Sequence, residues 1–331
     1  MKLAGVEETS DRLAAPMCAS SRDTTARDVF TVFAIPKAFV GHTAVIQTNA
    51  LKSWTLLSPR PDIIVFGDEE GAESVCQELG IRQEKDIARN EFGTPMVNDL
   101  FARAHALART EILCYANSDI IFFHDLPRAI GNILRWAGER PFLTIGRRWD
   151  LPVDEPLKDQ ELTPSLSHRA RTEGEAGNDF SLDYFVYRKG QYRSLPPFAV
   201  GRVWWDNWMV YEARNKGFPV IDLSHAVTPI HQRHGHTHIQ GGEGAFLSGV
   251  EAKRNQQLMR SVFPLPVTPF NLLDATHVLT SAGLRRSWRD RGMYRWARSE
   301  VGRNRVALFH PWVRPYLGAA RRLKARLARS T

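Results

Sequence analysis

Short apolar runs alternate along this chain with segments whose apolar residues recur at helical spacing. Val29–Ile35 (VFTVFAI), Asp62–Phe66 (DIIVF) and Glu111–Ala116 (EILCYA) are rich in β-branched and aromatic residues, and Pro36, Gly67-Asp68 and Asn117 stop them. Runs this short and continuous predict strands buried on both faces. Gly41–Leu57 carries Val45, Ile46, Leu51, Trp54 and Leu57 at helical spacing ahead of Pro59. Gly71–Leu79 ends at Gly80, a residue suited to a helix C-cap, and Pro95 suits the first turn of a helix over Pro95–Arg109. That last segment places Val97, Leu100, Phe101, Ala104 and Leu107 on one stripe. Three βα units in succession predict a parallel α/β sheet with helices on its faces and ligands at the carboxyl ends of its strands.

The pattern changes after about residue 145. Leu151–Asp179 is polar and rich in Pro, Glu and Gly, and is expected to be a mobile loop. Leu182–Tyr187 reads as a strand, Val203–Arg214 as a WWDNW segment leading into a helix, and Phe218–Asp222 as a further strand. His231–His238 is a histidine-rich loop, and short helices are expected from Pro264 onward. The resulting division is a mobile leader over 1–28, a main domain over 29–262 and a helical basic tail over 263–331. The main domain splits into a nucleotide-binding half, 29–145, and an acceptor half, 146–262.

Charge refines this division. The 331 residues carry a net charge of +8, but 284–331 alone holds 14 basic residues against two acidic ones. The chain is therefore a mildly acidic globule with a strongly basic tail, and the tail's Arg/Leu/Ala spacing suits an anionic membrane surface. No sequence-specific nucleic-acid motif accompanies the charge, and no specific nucleic-acid partner is expected. Three cysteines without CxxC spacing exclude a disulfide scaffold and indicate a reducing compartment. The absence of a long apolar run leaves a cytoplasmic protein, peripheral on the inner face of the plasma membrane, as the expected location.

Candidate chemistry gathers at four places. Asn117-Ser118-Asp119 follows a buried strand, where a carboxylate either holds a hard divalent cation or caps the next turn. His231, His234, His236 and His238 either form a polar loop or supply a metal ligand, with one histidine completing an Asp119 site. Asp206, among Trp204, Trp205 and Trp208, is either a helix cap or a desolvated carboxylate suited to general base work. Asp68 either accepts a hydrogen bond from a nucleoside or caps a helix. GxGxxG, GxxxxGK[ST] and GxSxG are all absent.

The strand ends Ala34-Ile35-Pro36 and Phe66-Gly67-Asp68, with the run FARAHALARTEILCYANSDI from Phe101 to Ile120, resemble the N-terminal half of GT-A glycosyltransferases related to glycosyltransferase family 2. Trp205-Asp206-Asn207-Trp208 and Ile230-His231-Gln232 extend the resemblance, which covers about 29–262. In place of the family's DxD motif the chain has Asn117-Ser118-Asp119. The resemblance implies a Rossmann-like GT-A sheet, a nucleotide-sugar donor, and a glycan, lipid-linked or similar acceptor. It implies Mg²⁺ or Mn²⁺ on Asp119 and His231, with Asp206 as the base of an inverting transfer. Ala34, Pro36, Asp68, Asn98, Arg103 and Ser118 would contact the nucleotide. Arg147 and Arg148 would meet phosphates or an acidic acceptor, and Tyr184 and Trp205 would form the acceptor platform. The alternatives are a catalytically inactive nucleotide-sugar-binding module and, behind it, a protein that binds nucleic acid non-specifically through its basic tail.

Overall fold

The computed structural model describes residues 29–233, 247–262 and 270–287. The expected leader, the histidines 234, 236 and 238, and the basic tail beyond 287 lie outside the described residues. The chain forms a mixed α/β fold around a nine-stranded sheet. Its strands are β1 (Thr31–Ala34), β2 (Asp62–Phe66), β3 (Arg82–Glu84), β4 (Ile112–Ala116), β6 (Leu143–Ile145), β9 (Tyr184–Arg188), β10 (Val220–Asp222), β12 (His277–Thr280) and β13 (Gly283–Arg286). Their spatial order is β13-β12-β10-β6-β9-β4-β1-β2-β3. Most neighbours run parallel, but β9 is antiparallel to both β4 and β6.

Both faces are covered, which is why the central strands are continuous apolar runs rather than alternating ones. The side chains still divide with period two. Phe33, Ile64, Phe66, Leu113, Tyr115, Phe185 and Tyr187 point to one core. Helices α3 (Val97–Leu107), α6 (Trp205–Asn215) and α7 (Val250–Val262) contribute to that layer. Val32, Ala34, Ile63, Val65, Cys114, Tyr184 and Val186 point to the other core, under α1 (Gly41–Thr55), α2 (Ala72–Leu79) and α4 (Asp125–Ala137). A second sheet, in the order β5-β11-β7-β8, joins β5 (Ile120–Ile121), β11 (Ile230–Gln232), β7 (Trp149–Leu151) and β8 (Glu175–Ala176).

The structure departs from the expected pattern at three places. Leu151–Asp179 is not a loop throughout: it holds a 3₁₀ turn (Asp159–Glu161), helix α5 (Pro164–Glu173) and β8. Pro164 occupies the first turn of α5 and Gly174 its C-cap, so the residues read as loop punctuation are helix boundaries. Leu166 and Ala170, four apart, are buried against β7 and its neighbours. The segment is also tied down. Asn49 of α1 donates to the Glu155 carbonyl at 3.0 Å and accepts from the Leu157 amide at 2.8 Å, and Lys52 pairs with Asp159 at 2.8 Å. Of the short helices expected after Pro264, the described residues hold a 3₁₀ turn (Leu272–Asp274); a hairpin that the pattern did not show, β12–β13, follows it, and β12 pairs in parallel with β10 to extend the central sheet. Finally, α4 escaped the pattern reading although Leu126, Ala129, Ile130, Ile133 and Ala137 mark its buried face.

Among the described residues no helix is long and apolar enough to cross a membrane.

Strand parity also settles Tyr184. It is fully buried against Phe122, with ring centroids 5.3 Å apart, on the face away from Tyr115 and Trp205. The expected acceptor-platform role for Tyr184 is corrected accordingly. A Cβ built on Gly146 would lie on the Tyr184 hydroxyl and 2.9 Å from its Cζ. Gly146→Ala is expected to cost about 1–3 kcal/mol by overpacking. Tyr184→Phe removes a buried hydroxyl that has no hydrogen-bond partner among the described residues. It is expected to be neutral within about 1 kcal/mol alone and to recover most of the loss in the double variant. Urea unfolding of the three variants checks this.

Candidate functional site

The carboxyl ends of β1, β4 and β6 lie at one edge of the sheet. Because β9 runs antiparallel, its amino end comes to that same edge. The loops there surround a cleft of about 1230 Å³. Pro36 and Lys37 enter from β1, Asn117, Ser118 and Asp119 from β4, and Arg148 from the chain after β6. Asp183 enters just before β9, Asp206 from the first turn of α6, and His231 from β11.

Buried amide side chains hold these loops. Gln47 of α1 clamps the backbone of Lys37, accepting from its N–H at 2.7 Å and donating to its carbonyl at 2.9 Å. The Ser118 hydroxyl also donates to Gln47 Oε1, at 3.0 Å. Gln232 donates to the carbonyls of Ile46 and Asp119. The contacts to Lys37, Ile46 and Asp119 supply backbone groups with the partners that a buried loop otherwise lacks.

Asn117 acts through its amide. Its Oδ1 accepts from the Tyr115 hydroxyl, and its Nδ2 donates to Asp183 Oδ1 at 2.9 Å. Arg148 donates to the same Asp183 oxygen at 2.9 Å. An aspartate at 117 would set two carboxylates against each other here, so this geometry gives a physical reason for the asparagine.

β11 pairs on one side with β5 and on the other with β7, and this register sets His231 opposite both Ile120 and Asp150. His231 Nδ1 lies 2.6 Å from Asp150 Oδ1, and its Nε2 lies 3.8 Å from Asp119 Oδ2. Burial alone would raise the Asp150 carboxyl, but the His231 hydrogen bond and the Arg148 guanidinium hold it below its ordinary range. Asp119 and Asp150 thus flank one imidazole, with the Asp150 side fixing its orientation. Among the described residues no three His, Cys, Asp or Glu side chains converge as a ready-made metal cage. Asp119 and His231 Nε2 instead face each other at a separation two ligands of one cation can span. That donor set fits a hard divalent ion which takes its remaining ligands from phosphate and water.

Asp206 stands at the other side of the chemistry. Its carboxyl is raised to about 7, first by burial and then by the nearby charge of Asp183, while backbone amides around the start of α6 partly oppose the rise. The preceding residue but one, Trp204, has φ of 92° and is the one non-glycine residue at positive φ among those described. Such strain collects where a side chain must be aimed. Helix α7 braces this turn: Glu251 pairs with Arg202 at 2.6 Å and accepts from Asn90 at 2.6 Å, and Asn255 bonds the backbone of Ala199 and Val203. Tyr115, buried beside Asp119, Asp183 and Asp206, has its hydroxyl pushed up by burial and by all three charges.

Of the expected site residues, Pro36, Ser118, Asp119, Arg148, Trp205, Asp206 and His231 line the cleft. Trp205 is largely core, packed edge-on to Tyr115 at 5.0 Å. Six do not line it. Ala34 is fully buried in the sheet and Tyr184 lies in the opposite core. Asp68 is mostly exposed and paired with Arg89, whose other partner, Glu69, does line the cleft. Asn98 and Arg103 sit on α3, the latter paired with Asp99. Arg147 is turned toward Asp179 and the Gly177 carbonyl. The pattern reading missed Lys37, Asp150, Asp183 and Arg202. Of these, Asp183 carried a signal, standing at the head of an apolar strand just as Asp119 stands near the end of one.

No family model matches the chain, and no curated protein matches it. Solved structures that resemble it include glucosyl-3-phosphoglycerate synthase from Mycobacterium tuberculosis in complex with Mg²⁺ and UDP. That pairing has 15% identity and a TM-score of 0.42, covering 73% of this chain and 82% of that one. The same enzyme with Mn²⁺, UDP-glucose and phosphoglyceric acid aligns with 14% identity and a TM-score of 0.42 over 73% and 82% of the two chains. Another structure of it aligns with 15% identity and a TM-score of 0.43 over 75% and 89%. Those proteins are nucleotide-sugar-dependent glycosyltransferases. A likeness this distant carries no statement about activity.

The raised carboxyl of Asp206 has a consequence for stability. Its ordinary value is 3.8 and its folded value is about 7. Between those values the folded protein holds a proton that the unfolded chain has released, so this group's contribution falls as pH rises through the window. Asp206→Asn is expected to be more stable than the wild type by roughly 2–4 kcal/mol at pH 8, with the difference gone near pH 4. Urea unfolding at the two pH values measures it.

Proposed function

We propose that this protein is a glycosyltransferase, moving a sugar from a nucleoside-diphosphate sugar to an acceptor hydroxyl with Asp206 as the base. One observation carries the reading: a cation-competent pair, Asp119 and His231, and a desolvated carboxylate, Asp206, open into one cleft at the carboxyl edge of an α/β sheet.

Asp119 and His231 would hold Mg²⁺ or Mn²⁺, which when bound neutralises charge on a departing diphosphate. With its Nδ1 proton on the Asp150 side, His231 would offer Nε2 as a ligand to a cation shared with Asp119. Lys37 and Arg148 add positive charge along the same wall. Burial lowers the Lys37 ammonium while Asp119 opposes the effect. Arg148 stays charged because Asp183, Asp150 and Asp119 outweigh its desolvation.

Asp206 accepts the proton of the acceptor hydroxyl. The new bond forms between that oxygen and the anomeric carbon, while the bond to the diphosphate oxygen breaks. A single displacement of this kind inverts the anomeric centre. A base near 7 is about half ionised at neutral pH, which suits it to take a proton and release it again. Asp183, held by Asn117 and Arg148, supplies the negative charge that contributes to this value.

Three results are expected. Thermal shift with UDP, GDP or CDP should show stabilisation by one nucleotide that requires Mn²⁺ and is lost in Asp119→Ala. A ligand at 100 times its dissociation constant contributes about 2.7 kcal/mol, well within detection. Sugar transfer, read as release of the nucleoside diphosphate, should fall at least about 100-fold in Asp206→Asn with nucleotide binding kept. In the wild type, kcat should drop tenfold per pH unit below about 7, because protonation removes the base. Nucleotide binding without turnover on any acceptor would mark a nucleotide-sugar-binding module, and no binding of any nucleotide would sink the reading.

A further inference from the structure

Six large apolar side chains are strongly exposed among the described residues: Val40 at 55%, Leu56 at 37%, Phe92 at 54%, Phe180 at 43%, Leu247 at 55% and Val250 at 64%. Single exposed apolar residues are ordinary on a protein surface. These are not scattered. Val40, Phe92, Phe180 and Leu247 all line the cleft that holds Asp119 and Asp206, and Val250 begins α7 three residues beyond Leu247. Leu56, at the end of α1, is not among the lining residues. Four separate stretches of chain thus bring apolar surface to one opening, so no local hydrophobic run accounts for it.

Both aromatic members are presented on turns with fixed backbones. Asn90 Oδ1 accepts from the amides of Phe92 and Thr94 at 2.9 and 3.0 Å, and Arg89 donates to the Gly93 carbonyl at 3.0 Å. Gly93 itself takes φ of +77°, a conformation that favours glycine. Asn90 is in turn anchored to Glu251 of α7. On the other wall, Asn178 Oδ1 accepts from the Phe180 amide at 2.8 Å. In each case the turn satisfies its polar groups internally and leaves the ring outside.

The cleft is therefore divided, with carboxylates and cations inside and apolar surface among the exposed lining. Its volume, about 1230 Å³, exceeds the roughly 300–1,000 Å³ of a typical single-ligand pocket, which leaves room for a second molecule beside a donor. We propose that the acceptor is an amphiphile, with a hydroxylated head directed at Asp206 and an alkyl or aryl group held by Phe92, Phe180, Val40 and Leu247. The inference rests on the transferase reading for the role of the head group.

The test uses the full chain, with n-octyl β-D-glucoside below its micellar concentration and glucose as paired probes, and calorimetric binding as the readout. UDP, GDP and CDP, each with Mn²⁺, are titrated in parallel, and the one that binds best replaces UDP in the comparisons below. The glucoside is expected to bind about tenfold or more tightly than glucose, as burial of its methylenes requires. Phe92→Ala/Phe180→Ala should lose about tenfold in glucoside affinity while keeping its affinity for UDP. Both substitutions fall on exposed rings, so the fold should survive them, and Leu56→Ser should leave glucoside binding unchanged. Equal affinity for glucoside and glucose, with UDP binding intact, overturns the acceptor proposal alone. A double variant that loses UDP and keeps the glucoside also overturns it, because the apolar surface would then belong to the nucleobase. A loss in Leu56→Ser equal to that in the double variant overturns it as well, as unspecific detergent adsorption. Absence of binding by UDP, GDP and CDP alike in the wild type overturns the transferase reading and the acceptor with it.

Discussion

Asp183 is the carboxylate on which the cleft depends. It is almost buried, and Asn117 and Arg148 both donate to one of its oxygens. A charge so enclosed is tolerated only because it is hydrogen-bonded and paired. Its pairing joins the end of β4 to the chain leaving β6, and its negative charge helps to keep a proton on Asp206. Removing it would leave the Arg148 guanidinium half-buried with one carboxylate fewer. The position is available because β9 is antiparallel, which delivers the amino end of that strand to an edge otherwise built from carboxyl ends.

The other edge loops are held by neutral amides rather than by charge. Gln47, Asn49 and Gln232 are almost fully buried, and each bonds to backbone or side-chain groups of segments far away in sequence. Asn49 alone touches the 155–157 strand of chain and Gln232. Amides suit this work because they offer donor and acceptor together, without the desolvation cost of an ion. The result is a cleft whose polar groups are placed by a rigid frame. Helix α7 does the same for the turn before Asp206, through Glu251 and Asn255.

This division of labour explains the unusual motif. In the GT-A resemblance a second aspartate is expected where Asn117 stands. Here Asn117 is committed to Tyr115 and Asp183, and the cation-competent donors are Asp119 and His231. The second ligand comes from a different strand, placed by pairing of β11 with β5 and β7. Charge that a second aspartate would supply is present nearby as Asp150 and Asp183, both occupied by Arg148.

The sequence by itself determined the strands β1, β2 and β4, the helices between them, and the sheet edge at which the cleft opens. Those features follow from local period and from punctuation by Pro and Gly, which act over a few residues. It also marked Asp119, His231 and Asp206, because polar residues stand out beside apolar runs. Tertiary structure alone decided which of the candidates share a cleft. Tyr184 and Phe185 look alike in sequence, yet strand parity sends them to opposite cores. Asp150 and Asp183 become site residues only through pairing across 81 and 66 positions, with His231 and Asn117 respectively. Helix α5 was hidden because its Pro and Gly mark boundaries as readily as loops, and only packing of Leu166 and Ala170 distinguishes the two. The apolar surface at the cleft opening is equally invisible along the chain, since each member is an isolated residue until the fold gathers them.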